Sequence, residues 1–287
     1  MATIAPLRVD VLQIMRMVLA FSQDWRVSSN GKAKDILSMA RPISVQLYTV
    51  RDQMNDDLWG TLARIADMGY AGIEPCGLPG GDQDEAAERI ADLGLVVSGY
   101  QAGTPVGDDA NRLLDEAQAL GTNHVVCPYF GRDNFTTMDG VKQTAELFGK
   151  AIANCAARDM TFGYHNHEFE LESIIDGKPA LLQLAGLLPD LRFTVDTYWV
   201  TVGGQDAVEV VKALGRQANL LHIKDGPLDK AQAMVAAGAG NMDFPPIVEA
   251  ATAAEWLVVE LDRCDTDMMV AVQESFDYLV DSGLGKA

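Results

Sequence analysis

Short apolar runs rich in β-branched residues alternate with segments of helical periodicity from residue 43 to the end of the chain. We predict eight strands from these runs, over 43–48, 71–74, 95–100, 124–128, 160–165, 192–196, 220–224 and 257–261. Helical patterns lie between or after the strands, over 58–68, 82–92, 110–120, 141–158 and 268–279. Alternation of this kind favours βαβ units and a parallel sheet.

The count of eight strands with interleaved helices predicts a (β/α)8 TIM barrel, a fold of the α/β class. An open doubly wound sheet is the alternative, and it requires a glycine-rich fingerprint after the first strand. The sequence at that position is Val50-Arg51-Asp52-Gln53, which is not such a fingerprint. No interdomain linker or low-complexity segment is visible in the sequence of 43–287. We therefore predict one barrel domain over 43–287.

Residues 1–42 differ in charge from the rest of the chain. They hold six basic and three acidic side chains, so the net charge of −19 becomes −22 once this segment is set aside. The apolar run from Val11 to Phe21 is interrupted by Arg16 and is too short to span a bilayer. A convincing signal-peptide cleavage site is also missing. We predict a poorly ordered N-terminal leader over 1–42, with Met39 as an alternative start.

The acidic charge limits the partners that we expect. A nucleic-acid partner requires clustered Lys and Arg for its phosphates, and a pI near 4.4 argues against one. We predict no membrane partner either, because the only long apolar run is broken. Four cysteines without paired or zinc-type spacing indicate a reducing, cytoplasmic location. The expected partner is a small molecule, and a homo-oligomer is compatible with the sequence.

Four of the predicted strands end in an imidazole or a carboxylate. These residues are His165, Asp196, His222 and Glu260. The carboxyl ends of barrel strands converge on one face, so these side chains are expected to meet. Two imidazole nitrogens with two carboxylate oxygens suit a divalent transition metal. We predict one divalent ion on these ligands, with Mn²⁺, Co²⁺, Fe²⁺ or Zn²⁺ preferred over Mg²⁺.

An ordinary ion-pair network is the structural alternative to a metal site. Asp196 and Glu260 each end an apolar strand, where an unpaired buried charge is costly. Lys224 or Arg263 could compensate these two carboxylates without any metal ion.

Several other residues near the strand ends are predicted to have roles other than binding the metal. Asp225 and Asp262 could orient the ring of His222, as carboxylates commonly do for ligating histidines. His124 opens its strand at the opposite face of the barrel, where we interpret it as structural. The segment Gly238-Ala239-Gly240 resembles a phosphate-cradling loop, although a glycine pair alone is weak support.

Other side chains near strand ends could act on a substrate. Proton transfer could be carried out by His167, which shares a face with His165 in an extended segment, or by Lys224. Glu74, at the end of the second strand, could bind substrate. Trp199 could form an aromatic wall for a polyol, with core packing as its alternative role.

Six segments together form a recognisable pattern. They are Gln46-Leu47-Tyr48-Thr49-Val50-Arg51, Gly72-Ile73-Glu74, Gly163-Tyr164-His165-Asn166-His167, Asp196-Thr197-Tyr198-Trp199-Val200, Leu221-His222-Ile223-Lys224-Asp225 and Val259-Glu260. With them the chain resembles the sugar isomerase/epimerase superfamily of xylose-isomerase-like TIM barrels, over nearly all of 43–287. The resemblance implies one divalent metal held from strands five to eight and a sugar, sugar-phosphate or polyol substrate.

The resemblance also implies the chemistry of an isomerase or epimerase that acts through an enediolate, with His167, Glu260 and Lys224 as catalytic residues. Many of those epimerases carry a glutamate base at the position of His165. The second proton role then moves to His167. The Tyr-His-Asn-His run is similar to inosose dehydratase-type members, so a lyase acting on a keto-polyol or 3-keto-sugar remains the alternative hypothesis.

Two further functions are weighed against these enzymes. A barrel that only binds a sugar would need fewer titratable groups than His167, Lys224 and Glu260 provide. The superfamily also includes DNA-repair endonucleases with three zinc ions. Four histidines are too few for that site, and the charge of −22 over 43–287 would repel a phosphate backbone.

Overall fold

The computed structural model describes residues 40–287. The predicted leader lies outside the described residues except for its last three positions. The first strand begins at Arg41, two residues before the predicted Ile43, because Arg41 pairs with Gly285 near the end of the chain.

Twelve strands occur in the described part of the chain. Numbered β1 to β12 in chain order, they are Arg41–Gln46, Gly72–Glu74, Val96–Val97, Tyr100–Gln101, His124–Cys127, Thr161–His165, Ile174–Ile175, Lys178–Pro179, Arg192–Asp196, Ala218–Ile223, Trp256–Val259 and Gly285–Lys286.

Ten α-helices lie between or after these strands in residues 40–287. Numbered α1 to α10, they are Arg51–Asp67, Gln83–Asp92, Ala110–Ala119, Met138–Ala156, Phe169–Glu172, Ala180–Leu187, Thr197–Val202, Ala207–Leu214, Phe244–Ala250 and Met268–Asp281. Short 3-10 turns connect several of them.

The main sheet is a nearly closed parallel barrel, in the order β3-β2-β1-β11-β10-β9-β6-β5-β4. Strands β3 and β4 together occupy the third of eight barrel positions, since only Ser98 and Gly99 separate them. Strand β12 pairs in parallel with the amino end of β1, and β7 pairs with β8 in a separate antiparallel hairpin. The predicted (β/α)8 barrel of the α/β class is confirmed.

The break in the third position differs from the single strand predicted over 95–100. Strand β3 pairs with β2, whereas β4 pairs with β5. At the break, Ser98 hydrogen-bonds to Ser44 at 2.8 Å, and Gly99 packs closely between two strands. A Cβ on Gly99 would lie 3.2 Å from both the Glu74 carboxylate and Leu220 Cδ1, so a larger residue at the bend would crowd these neighbours.

Several helices begin at a residue whose side chain caps the first turn. Asp82 caps α2, Thr137 caps α4 and Asp267 caps α10, each accepting backbone N–H bonds from the first turn. Helix α1 begins earlier than predicted, yet Asp57 interrupts it with a non-helical backbone and accepts from Gly60 N at 3.0 Å. The predicted helix over 58–68 is therefore the second part of α1.

Apolar strand residues fill the space between the sheet and the outer helices. Ile43, Val45, Phe193, Val195 and Leu257 are fully buried, and each such side chain contributes roughly 1.5–3 kcal/mol by leaving water. The barrel interior is more polar towards the carboxyl ends of the strands. Within residues 40–287, no helix has both the length and the apolar character needed to cross a membrane.

Candidate active site

The four residues predicted as metal ligands meet at the carboxyl end of the barrel. His165 ends β6, Asp196 ends β9, His222 lies in β10 and Glu260 follows β11. His222 and Asp196 are register partners on adjacent strands. One nitrogen or carboxylate oxygen from each of the four residues lies within 4.8 Å of all the others, and all four residues are buried.

The ring of His165 is oriented by a backbone carbonyl. Its Nδ1 lies 3.2 Å from the carbonyl oxygen of Pro128, which can only accept, so Nδ1 carries the hydrogen. The Nε2 atom lies 3.3 Å from Asp196 Oδ2 and 3.8 Å from Glu260 Oε2. This arrangement directs Nε2 of His165 towards the other residues of the cluster.

His222 lies between two carboxylates. Its Nδ1 is 2.5 Å from Glu260 Oε2, and its Nε2 is 2.7 Å from Glu74 Oε2. Burial alone would lower the pKa of His222, but the charges of Glu74 and Glu260 outweigh it and raise that pKa to about 10. Glu74 is itself fully buried behind this ring. It therefore holds a histidine of the cluster, and its role in binding substrate stays a prediction.

Lys224 lies among three carboxylates. Its Nζ is 3.1 Å from Asp196 Oδ2, 3.1 Å from Glu260 Oε2 and 3.0 Å from Asp262 Oδ1. Burial lowers the pKa of Lys224, but the three carboxylates together raise it well above its usual value. The same ammonium, with His222, holds the pKa of buried Glu260 well below the ordinary range.

Lys224 thus forms the ion pairs with Asp196 and Glu260 that were considered as an alternative to a metal site. They do not involve Arg263, which donates to the backbone carbonyls of Lys230 and Gln232. Lys224 and His222 supply the positive charge that the converging carboxylates require.

Asp196 has a second contact that fixes its position. Its Oδ1 accepts from Trp199 N at 2.8 Å and so caps helix α7, while Oδ2 faces the cluster. Asn166 accepts from Asp196 N at 3.0 Å and thereby ties the end of β6 to the end of β9. The Tyr-His-Asn-His run thus contributes a strut between two ligand-bearing strands, a role that was not predicted.

A cavity of about 330 Å³ opens beside the cluster. Its walls combine cluster residues with side chains from several loops: Gln46, Tyr48, Cys76, Gln101, Pro128, Tyr129, His165, His167, Lys224, Glu260 and Asp262. Tyr48 and Tyr129 are 44% and 55% exposed, and they are the two exposed aromatic side chains in residues 40–287. The cavity therefore has an aromatic mouth above a charged base.

The ring of His167 lines this cavity. Its Nδ1 is buried and has no hydrogen-bond partner. The ring stacks on Phe169 and meets Tyr129 edge-on at 5.3 Å between centroids. Burial, with the nearby His165 and Lys224, lowers the pKa of His167 to about 3, so the imidazole is neutral.

Glu170 supports the same segment from below. It accepts from the Tyr164 hydroxyl and, at 3.0 Å, from His167 N. Burial raises the pKa of Glu170 to about 8. Its position three residues beyond the Tyr-His-Asn-His run gave no signal in the sequence, because the helical turn of α5 brings it back under His167.

Two glutamines extend the polar network behind the cavity. Gln101 donates to Glu74 Oε2 at 2.8 Å, and Gln46 donates to Gln101 Oε1 at 2.8 Å. The register places Gln46 beside Glu74, so both strand ends contribute to one hydrogen-bonded chain. The sequence signal was available for Gln46, which begins the first segment of the family pattern.

The residues that orient His222 are not the two aspartates predicted for this role, Asp225 and Asp262. Asp262 pairs with Lys224, and Asp225 accepts four backbone N–H bonds, one from Gly226 and three from Gly238, Gly240 and Met242. The predicted orienting role of these two aspartates is therefore wrong. Glu74 occupies it, because the second strand ends directly opposite His222 Nε2.

The glycine pair does not form an open phosphate cradle. The N–H groups of Gly238 and Gly240 already donate to Asp225 at 2.9 and 3.1 Å. Glycine is required at position 240, since a Cβ there would lie 2.1 Å from the same carboxylate. The segment is closed around a side chain of the protein itself.

Trp199 lies outside the cavity wall. It is half-buried against Tyr198, and the ammonium of Lys224 lies 5.4 Å from its ring centroid. The aromatic contacts available to a ligand come instead from Tyr48 and Tyr129. His124 lies at the start of β5 with its Nδ1 2.8 Å from Thr161 Oγ1, away from the cluster.

The donor set fits a divalent transition-metal ion. It offers two imidazole nitrogens and two carboxylate oxygens at one buried point. The far nitrogens of the two rings are held by Pro128 O and by Glu74, as is usual around ligating histidines. These four residues could hold a metal ion.

The fold and this site define a parallel αβ barrel with a candidate metal cluster at the carboxyl face. Residues 62–281 match the xylose isomerase-like TIM barrel family, which spans most of the chain. The protein belongs to that family.

Solved structures with the same fold are remote in sequence. A sugar phosphate isomerase/epimerase from Parabacteroides distasonis is 22% identical, with a TM-score of 0.73 over 86% of this chain and 96% of that one. An L-ribulose 3-epimerase is 20% identical (TM-score 0.61, 85% and 94% covered). The probable 3-DHS dehydratase of petrobactin synthesis from Bacillus anthracis is 15% identical (TM-score 0.62, 83% and 98% covered). No curated protein matches the chain in sequence.

Proposed function

We propose that the protein is a divalent-metal-dependent sugar isomerase or epimerase. The observation that carries this proposal is the convergence of His165, Asp196, His222 and Glu260 on one buried point beside an aromatic-mouthed cavity. Membership of the xylose isomerase-like family and the fold shared with an L-ribulose 3-epimerase support it.

The proposed reaction begins with proton removal from a carbon next to a carbonyl. When bound, a divalent cation supplies Lewis-acid polarisation of the carbonyl and its neighbouring hydroxyl. His167 is the proposed base, because its ring lines the cavity and is neutral. Returning a proton to the other carbon or to the other face completes an isomerisation or epimerisation.

Lys224 is the proposed acid and oxygen-binding group. Its ammonium lines the cavity and stays charged among three carboxylates. Glu260 is less suited to act as a free base than the sequence suggested, because its Oε2 contacts His222 and Lys224. We assign it to the metal cluster and to the electrostatic support of Lys224.

A lyase is the second candidate function, and one observation favours it. The cavity pairs an imidazole base with an ammonium donor, in place of two carboxylates that could each exchange a proton. Proton removal by His167 and protonation of a departing β-hydroxyl by Lys224 would release water from a keto-polyol or 3-keto-sugar. The fold shared with a probable dehydratase is compatible with this chemistry.

Metal content is tested first. Elemental analysis of purified protein should find one Mn²⁺, Co²⁺, Fe²⁺ or Zn²⁺ per chain, and reconstitution after chelation should favour these ions over Mg²⁺. Activity is then followed as deuterium uptake from D₂O into a panel of ketoses, with a mass loss of 18 marking a dehydratase. Full activity of chelated protein would refute metal dependence, and tight sugar binding without exchange would favour a non-catalytic barrel.

Asp196→Asn is the matching variant. Asparagine can still cap helix α7, so the barrel should fold, while one charged ligand is lost. We expect deuterium uptake to fall by about 10²- to 10³-fold, the scale of losing one electrostatic group from an active site. Asp206→Asn is its control, since exposed Asp206 caps helix α8 in the same way but outside the site. Equal activity of the two variants would contradict the proposal.

A further inference from the structure

A second cavity of about 260 Å³ adjoins the candidate active site on the side of β1 and β2. It shares two wall residues, Tyr48 and Cys76, with the 330 Å³ cavity. The two cavities therefore adjoin at Tyr48 and Cys76. We call this second space the side cavity.

The side cavity is lined mainly by carbon. Its apolar walls are Leu47, Met54, Leu58, Leu78 and Pro79, on the turn after β1, helix α1 and the loop after β2. Small-molecule sites combine walls of this kind with a few placed polar groups. The active-site cavity supplies the polar groups, and the side cavity supplies apolar area.

The cation in the side cavity is already engaged. Arg51 donates to Tyr48 O at 2.7 Å and to Asp262 O at 3.0 Å, and its guanidinium lies 4.1 Å from the centroid of the Tyr48 ring. It thereby braces the boundary between the two cavities. A ligand that extends from one cavity to the other would contact the aromatic ring of Tyr48 at this boundary.

Neither cavity is well suited to bind a phosphate group. Lys224 is surrounded by Asp196, Glu260 and Asp262, which would repel a dianion. The Gly238–Gly240 amides are occupied by Asp225. Phosphate recognition in proteins depends on cations or backbone N–H groups that are not already engaged. Lys224 and Arg51, the lysine and the arginine of these two cavity walls, are both engaged.

We propose that the side cavity is a subsite for an apolar substituent of an uncharged sugar substrate, such as an aryl or alkyl group. The sugar ring lies in the 330 Å³ cavity between Tyr48 and Tyr129, and the substituent lies against Leu58 and Leu78. This inference rests on the proposed function for the identity of the sugar-binding cavity. It narrows the substrate class from sugars and sugar phosphates to uncharged sugars with an apolar group.

Calorimetric titration of metal-loaded protein tests the subsite with three probes: methyl β-D-glucopyranoside, phenyl β-D-glucopyranoside and glucose 6-phosphate. The phenyl glycoside should bind at least about tenfold more tightly than the methyl glycoside, because its ring leaves water for an apolar wall. Glucose 6-phosphate should bind most weakly. Equal affinity of the two glycosides, tighter binding of the phosphate, or no binding of the phenyl glycoside would overturn the proposal.

The variant Leu78→Asp tests whether the phenyl group binds in the side cavity. It should abolish the preference for the phenyl probe and leave the affinity for the methyl probe unchanged, whereas Leu187→Asp, on an exposed leucine of helix α6, should preserve the preference. If Leu78→Asp does not fold, Leu78→Ala takes its place with a smaller loss. A preference that survives both substitutions would overturn the proposal.

Deuterium uptake into D-fructose separates failure of the subsite from failure of the proposed function. Uptake without a phenyl preference would refute the subsite alone. A phenyl preference without uptake by any ketose of the panel would refute the enzymatic proposal and retain the subsite.

Discussion

The two ends of the barrel are lined by similar residue types but organise them differently. At the carboxyl end, two histidines, a lysine and four carboxylates contact one another beside a 330 Å³ cavity. At the amino end, a larger cavity of about 780 Å³ is lined by His124, Arg192, Arg158 and Glu255 among others. There the buried Nε2 of His124 and Nη1 of Arg192 have no partners. The larger cavity is therefore not the one beside the converging charged groups.

Two buried histidines, one at each end of the barrel, differ in charge. Burial lowers the pKa of His124 to about 4, helped by the charge of Arg192, and keeps its ring neutral. His222 is equally buried, yet Glu74 and Glu260 outweigh burial and raise its pKa to about 10. The partners within hydrogen-bond distance decide which histidine carries charge.

Lys224→Met gives the largest expected effect on stability. It leaves Asp196, Glu260 and Asp262 without their shared cation, and breaking a buried pair in this way costs about 3–5 kcal/mol. Saturating Mn²⁺ should recover part of that loss by binding the same carboxylates. Urea unfolding with and without Mn²⁺ measures both quantities.

The control for that variant is Lys230→Met. Lys230 is exposed and pairs with Glu168 and Glu172, so its loss should change stability by less than about 1 kcal/mol. A Lys224→Met protein as stable as this control, or one that Mn²⁺ does not stabilise, would contradict the description of the carboxyl end.

His124→Gln tests the amino end through pH. The unfolded chain binds a proton near pH 6.5, but folded His124 does so only near pH 4, so the unfolded state holds more protons between these values and wild-type stability falls as pH decreases. The loss attributable to His124 is about 3 kcal/mol when complete. The stability difference between wild type and variant should shift by that amount between pH 7 and pH 4. A difference independent of pH would show that His124 is not buried neutral.

Glu74→Gln should have the smallest effect. The amide retains the size of the side chain but removes the charge beside His222 Nε2, and such changes behind a ligating histidine reduce metal affinity about 10- to 100-fold. Mn²⁺ titration calorimetry measures this change. Glu116→Gln serves as the control, because Glu116 is also buried and accepts from Tyr100 at 2.7 Å, but lies outside the cluster. Unchanged affinity in both variants would leave Glu74 with no part in metal binding.

The fold and the four-residue cluster were predictable because both depend on periodicity. Eight repeated units predict the barrel, and one imidazole or carboxylate at each of four strand ends predicts convergence at one face. The break between β3 and β4 was not predictable, because it depends on Ser44, Gly99 and their neighbours across distant strands. The binding of a metal by the cluster stays a prediction.

The residues around the cluster were harder to predict, since their roles depend on directions that sequence does not encode. Glu74 ends a strand as a cavity residue would, but its carboxylate turns to His222. Tyr129 follows Pro128 outside any periodic segment, so nothing in its spacing indicated a cavity mouth. Asp225 contacts backbone N–H groups 13, 15 and 17 residues later, which only the folded loop brings near.

The contacts of Asp225 have an evolutionary consequence. Its carboxylate receives four backbone N–H donors, so the protein supplies internally the anion that a glycine-rich loop would otherwise take from solution. Asp225 is buried and is not among the residues that line the 330 Å³ cavity, so its loss would leave these N–H donors without a partner inside the protein. A buried donor without a partner costs about 1–3 kcal/mol. Selection for the stability of this loop is therefore expected to retain Asp225 whatever substrate the barrel binds.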